Sequence, residues 1–150
     1  MPQAVLFSAE EICQQSQQLA AALVISTIAL LKDRQLSVTE WFSASRQKYA
    51  ANWEDLREQG ALAVLRVIAL NSTVIGATVE SLEGDTSAAE LVITDWPSPW
   101  FLDTLGLSRE DTDPFWESLR SMMEYLGYHY VWQRDDVRVR LRVHQGEDKS

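Results

Sequence analysis

Near Thr73 the spacing of apolar residues changes, and that change limits the chain to few architectures. Before it they recur every three to four residues, as on one face of a helix. After it they recur at every second residue, as on one face of a strand. Helical and alternating patterns in separate blocks predict an α+β fold. The expected architecture is an N-terminal helical layer packed on an antiparallel sheet of two hairpins, with an intervening helix. A chain of 150 residues is the size of a single domain, residues 1–150.

The helical block carries its own start signals. Ser8-Ala9-Glu10-Glu11 has the form of a capping box and predicts a helix from about Ala9 to Leu31. Within it, Leu19 to Leu31 is thirteen residues with only Ser26 and Thr27 polar. A bilayer span needs roughly 20 apolar residues, so this run predicts a central helix hidden by its neighbours and no membrane span. Ser37-Val38-Thr39-Glu40 starts a second helix, with a stripe of Trp41, Ser45, Tyr49, Trp53 and Leu56 broadened by Phe42. Gly60 marks an end or a bend. Ala61 to Leu70 fits a buried helix or a strand; its Ala and Leu content favours a third helix, with Asn71 as terminator.

In the alternating block, Ile75, Ala77 and Val79 oppose Val74, Gly76, Thr78 and Glu80. After Glu83-Gly84-Asp85-Thr86, Ala89, Leu91 and Ile93 oppose Glu90, Val92 and Thr94, which predicts an antiparallel hairpin with one buried face. Trp96-Pro97-Ser98-Pro99-Trp100 ends the strand, and Ser98 with Pro99 starts a short helix ending near Gly106. Asp113-Pro114 begins another helix, whose apolar face is Phe115, Trp116, Leu119, Met122, Met123 and Leu126, with Gly127 as its stop. A closing hairpin turning at Asp135-Asp136 sets Trp132 opposite Val139, Tyr130 opposite Leu141 and Tyr128 opposite Val143. Its other face then carries Arg138, Arg140, Arg142 and His129. Gln145 to Ser150 reads as a frayed tail.

Charge and chemistry narrow the function classes. Thirteen basic against twenty-two acidic residues give a net charge of −9, which disfavours nucleic acid as a partner. The single cysteine, Cys13, cannot form an internal disulfide, and Met1 to Phe7 lacks the basic segment of a secretory leader; both fit a cytoplasmic protein. His129 and His144 stand fifteen apart, and no metal-ligand spacing occurs, so neither a metal nor a cofactor is expected. Cys13, with His129 or His144 as base, could be a nucleophile, but among glutamines and beside Ile12 near a helix start it reads as a half-buried structural cysteine. Most carboxylate pairs fall in helix first turns or loops, where negative charge is favourable anyway. Glu80 and Glu90 differ, being on hairpin strands at the opposite parity from the apolar face. The arginine row Arg138, Arg140 and Arg142 beside His129 suits a carboxylate or phosphate. In an acidic protein, ion pairs to neighbouring carboxylates are the favoured reading of the same row.

Four of the six tryptophans lie between Trp96 and Trp132. Trp96, Trp100, Phe101, Trp116, Met122 and Met123 form the main candidate site, since rings and adaptable methionines line apolar pockets and grip partners. Ordinary core packing competes for the helical members. Trp96 and Trp100 lie on a proline-rich loop, where exposed indoles imply a covering group. The expected function is a non-catalytic module that binds an apolar small molecule or forms a homodimer through its aromatic surface. A small hydrolase-like enzyme using Glu80, Glu90 or His129 is the alternative, and a purely structural partner subunit the third reading.

The order of helices, hairpin (Val74 to Ile93), helix (Phe115 to Leu126) and closing hairpin (Tyr128 to Val143) resembles the four-vinyl-reductase domain family and its relatives with the fold of the small trafficking-complex subunits. The resemblance spans most of the chain at the level of element order. It implies dimerisation and the binding of small or hydrophobic molecules. The cysteines that recur late in those domains have no counterpart after Cys13, so their metal or thiol chemistry is not implied here.

Overall fold

The computed structural model describes residues 6–146. Helices pack on one face of a four-stranded antiparallel sheet, an α+β fold. The first helix, α1 (Ala9–Asp33), opens on the expected capping box: Glu11 N donates to Ser8 Oγ (3.1 Å) and Ser8 N to Glu11 Oε2 (2.7 Å). Ala21, Ile25, Ile28, Ala29 and Leu31 are buried. The helix is not hidden all round, however. Leu19, Leu23 and Leu30 in its apolar run are exposed, Leu23 by 70%, because its neighbours cover only one side. No helix among the described residues is long and apolar enough to cross a membrane.

The second helix, α2 (Val38–Tyr49), starts where Ser37 Oγ accepts from Glu40 N (3.1 Å). Its inward residues are Val38, Phe42, Ser45 and Arg46, whereas Trp41 and Tyr49 of the expected stripe are exposed. At 3.6 residues per turn each step of four slides about 40° around the helix, so a strict four-residue stripe leaves the face it began on. The helix also stops early. A 3-10 turn (Ala50–Trp53) and a four-residue helix, α3 (Leu56–Gln59), carry the chain to Gly60.

Gly60 lets the chain enter α4 (Ala61–Val74) at φ 100° and ψ 171°, a backbone region essentially restricted to glycine. The α4 N-terminus has no side-chain cap. Instead Ala61 N donates to Thr86 O (2.8 Å) and Leu62 N to Asp85 O (3.1 Å), so the turn of the first hairpin supplies its acceptors. Tyr128 Oη locks the same point, accepting from Gly60 N (3.0 Å) and donating to Leu56 O (2.8 Å). The helix runs past Asn71 because Ser72 and Thr73 turn their hydroxyls back onto Ile68 O (2.7 Å) and Ala69 O (3.0 Å). The strand expected from Thr73 therefore begins only at Thr78.

The strands are β1 (Thr78–Gly84), β2 (Ala88–Thr94), β3 (Tyr128–Asp135) and β4 (Arg138–Gln145), in the order β1-β2-β4-β3. A bulge at Glu80, between the pairs Val79↔Ile93 and Ser81↔Val92, reverses the parity of β1. Val79 and Leu82 can thus both pack on the core beside Leu91 and Ile93. In the closing hairpin Tyr130 pairs with Val143, Trp132 with Leu141 and Arg134 with Val139. This register is two residues from the expected one. The turn is Asp136-Val137, with Asp136 at φ 53°, a left-handed conformation that aspartate tolerates. A slip of two leaves each side chain on its face, so the aromatic–aliphatic surface stays inward and the arginine row outward. Gln145 belongs to β4, and Gly146 N donates to Gly127 O (3.1 Å); the rest of the expected tail lies outside the described residues.

Between the hairpins lie α5 (Pro99–Leu105), ended by Gly106 in the left-handed region, and a helical stretch interrupted at Ser118 into α6 (Asp113–Glu117) and α7 (Leu119–Tyr125). Phe115, Trp116, Leu119, Met122, Met123 and Leu126 are all buried.

Candidate functional site

An apolar pocket of about 360 Å³ opens among the helices on the side away from the sheet's arginine row. Its walls come from separated parts of the chain: Val24 of α1, Phe42 and Arg46 of α2, Trp53 of the 3-10 turn, Ile68 and Ile75 at α4, and Trp116, Leu119 and Met122. Ser45, Tyr49, Asn71 and Ser72 add neutral polar groups. The volume is at the lower end of the ~300–1,000 Å³ usual for small-molecule sites, and the lining has the expected mix of apolar wall and few polar groups.

The aromatic base of the pocket is a linked set of rings. Phe42 meets Phe115 edge-on at 5.1 Å, Phe115 meets Trp116 at 5.3 Å, and Trp96 closes behind at 4.9 Å from Phe115 and 5.3 Å from Trp116. Three of these contacts are edge-to-face and Trp96 is tilted 43° to Phe115; edge-to-face geometry is a favoured arrangement of aromatic pairs. Tyr130 Oη donates to Trp116 O (2.8 Å) from the sheet below, and burial pushes its hydroxyl pKa up.

Arg46 is the charged member of the lining. Nε donates to Ser118 Oγ (3.1 Å), and the guanidinium carbon lies 4.9 Å from the Phe115 ring centroid. Burial lowers its pKa to about 10, so it remains a cation at neutral pH. Among the described residues no carboxylate forms an ion pair with it.

Of the residues singled out from the sequence, Trp116 and Met122 line this pocket and Trp96 supports Trp116 from behind. Met123 is fully buried outside the lining. Trp100 is 66% exposed and touches Phe101 ring to ring at 5.0 Å, so this pair stands apart from the pocket. Phe42, Arg46, Trp53 and Ile75 were not singled out. The detectable signal was Arg46, a cation on the inward side of α2 four residues after Phe42.

The outer face of the sheet carries the other candidates, and its three arginines share two carboxylates. Arg138 Nε donates to Glu80 Oε2 (2.7 Å), Arg142 Nε to Glu90 Oε2 (2.6 Å) and Arg140 Nη1 to Glu90 Oε1 (3.3 Å). The hydrogen bond from Arg138 holds the Glu80 carboxyl below its ordinary pKa. Pairs this exposed contribute little to stability. His129 stacks on His144 with centroids 4.8 Å apart, while Cys13 is exposed on α1 rather than half-buried in packing as expected. Among the described residues no three His, Cys, Asp or Glu side chains gather as a metal shell.

No protein-family model matches the chain, and no curated protein matches it.

Proposed function

We propose that the protein is a non-catalytic binding module whose helical pocket takes an apolar small molecule. The observation that carries this reading is a largely apolar space walled by Phe42, Trp53, Phe115 and Trp116, with no carboxylate, histidine or cysteine among its lining residues. Removing an apolar ligand from water into such a space is favourable by about 25 cal/mol per Å² of apolar surface. Titration with the neutral fluorophore N-phenylnaphthylamine tests it. The expected result is saturable fluorescence enhancement that Ser45→Trp, adding an indole to the lining, removes and Trp100→Ala leaves unchanged. A linear, unsaturable response in the wild-type protein would end the proposal.

Self-association is the second reading, and one observation favours it. Ile12, Leu19, Leu23 and Leu30 are exposed on α1 at spacings of seven, four and seven, the repeat of a helix–helix seam. This reading uses the aliphatic face of α1, whereas the sequence-based expectation is an aromatic surface. Sedimentation equilibrium at tens of micromolar is expected to show a dimer that Leu23→Glu dissociates, and a wild-type monomer there excludes the reading.

A further inference from the structure

We infer that the ligand is an amphipathic acid, an apolar chain or ring bearing one carboxylate, and that Arg46 receives the acid group. This rests on the pocket being a ligand site, as proposed above, and specifies which chemistry it selects.

Among the described residues Arg46 lacks a partner that most other arginines of the protein have. Seven of the arginines in the described residues sit within ion-pair distance of a carboxylate: Arg57, Arg109, Arg120, Arg134, Arg138, Arg140 and Arg142. Arg34 and Arg66 have no such partner and are exposed, where water screens them. Arg46 is different. It is half-buried, lines an apolar pocket and has no carboxylate partner among the described residues. Burial strips part of the hydration of this cation while its terminal nitrogens still reach water, and an opposite charge brought into the pocket would compensate it. Nothing else in the lining supplies that charge, since the remaining polar groups are the neutral Ser45, Tyr49, Asn71, Ser72 and the Trp53 and Trp116 indoles.

Geometry also pre-sets the group. The bond from Nε to Ser118 Oγ and the Phe115 ring hold the guanidinium in place, and neither uses its two terminal amino groups. Those groups have no acceptor among the described residues, and a planar fork of this kind matches the two oxygens of a carboxylate. Of the charged groups nearby, Glu117 is taken by Arg120 and the Trp132 indole, and Tyr130 stays neutral because burial raises its pKa. An incoming acid therefore meets one uncompensated positive charge beside an apolar wall.

Isothermal calorimetry with octanoate and with octanol tests this, each measured on the wild type, Arg46→Met and Arg46→Lys. The wild type is expected to bind octanoate at least about tenfold more tightly than octanol, as a charge-assisted hydrogen bond warrants. Arg46→Met should erase that preference while leaving octanol affinity within about twofold, and Arg46→Lys should retain part of it. Equal wild-type affinities, or an equal loss for both ligands in Arg46→Met, would overturn the assignment while leaving the pocket reading intact. Absence of binding by both ligands and by the neutral fluorophore would overturn both.

Discussion

Gly60→Ala is expected to cost about 3–5 kcal/mol of unfolding free energy, a large part of the ~5–15 kcal/mol that holds a domain of this size together. Two independent penalties combine. The backbone at φ 100° and ψ 171° is a conformation that costs a residue with a Cβ about 1–3 kcal/mol. A Cβ built there would also lie 2.7 Å from Thr86 Cα and 2.8 Å from Thr86 Cβ, contacts that force the backbone of the hairpin turn to move. That turn cannot move freely, because Thr86 O and Asp85 O accept the first amides of α4. Relief of the clash would therefore unseat the helix that covers β1 and β2. Gly106→Ala is the control: its φ is 65° and nothing lies within 4 Å of an added Cβ, so only the left-handed backbone penalty, roughly 1–2 kcal/mol, applies. Urea unfolding of both variants measures the difference. Equal losses at the two positions would show that the docking of α4 onto the hairpin is not as described.

Trp116→Ala is expected to cost about 3–5 kcal/mol and to lower the thermal midpoint by on the order of 10 °C or more. The side chain is 1% exposed and contacts Phe115 and Trp96 edge-on, so its removal leaves a cavity between the pocket and the sheet. Its indole nitrogen has no hydrogen-bond partner among the described residues, so the loss comes from packing rather than from a broken hydrogen bond. Trp100→Ala removes a ring of the same size from a 66% exposed position, and a change within about 0.5 kcal/mol is expected. Calorimetric melting of the two variants compares them directly. A small effect at Trp116 would mean that the ring cluster does not brace the pocket wall.

What was legible in the sequence was local. The Ser8–Glu11 capping box, Pro99 at the head of α5, Gly106 at its end and the inward parity of Leu91, Ile93 and Leu141 all depend on neighbours within a few residues. The register of the closing hairpin was readable only modulo two, because alternation reports the face of a residue and not its partner. The end of α4 differs for a related reason: Asn71 suggests a stop, yet Ser72 and Thr73 continue the helix with their hydroxyls bonded to Ile68 O and Ala69 O. The pocket was the least legible feature. Val24, Phe42, Trp53, Ile75 and Leu119 meet only where several helices cross, and no spacing along the chain encodes that meeting. The Trp96–Trp100 stretch reads as a loop with two exposed indoles, but Trp100 lies on α5 and Trp96 is buried behind the ring cluster, leaving only Trp100 exposed.

The most direct test of the ligand-binding account is a backbone amide NMR titration with N-phenylnaphthylamine. Saturable shifts concentrated at Phe42, Arg46, Ile68, Ile75, Trp116 and Met122 are predicted, with Trp100 and the outer strand residues Arg140 and Arg142 unmoved. Shifts centred on Trp100 or on the arginine row, or none that saturate, would contradict it.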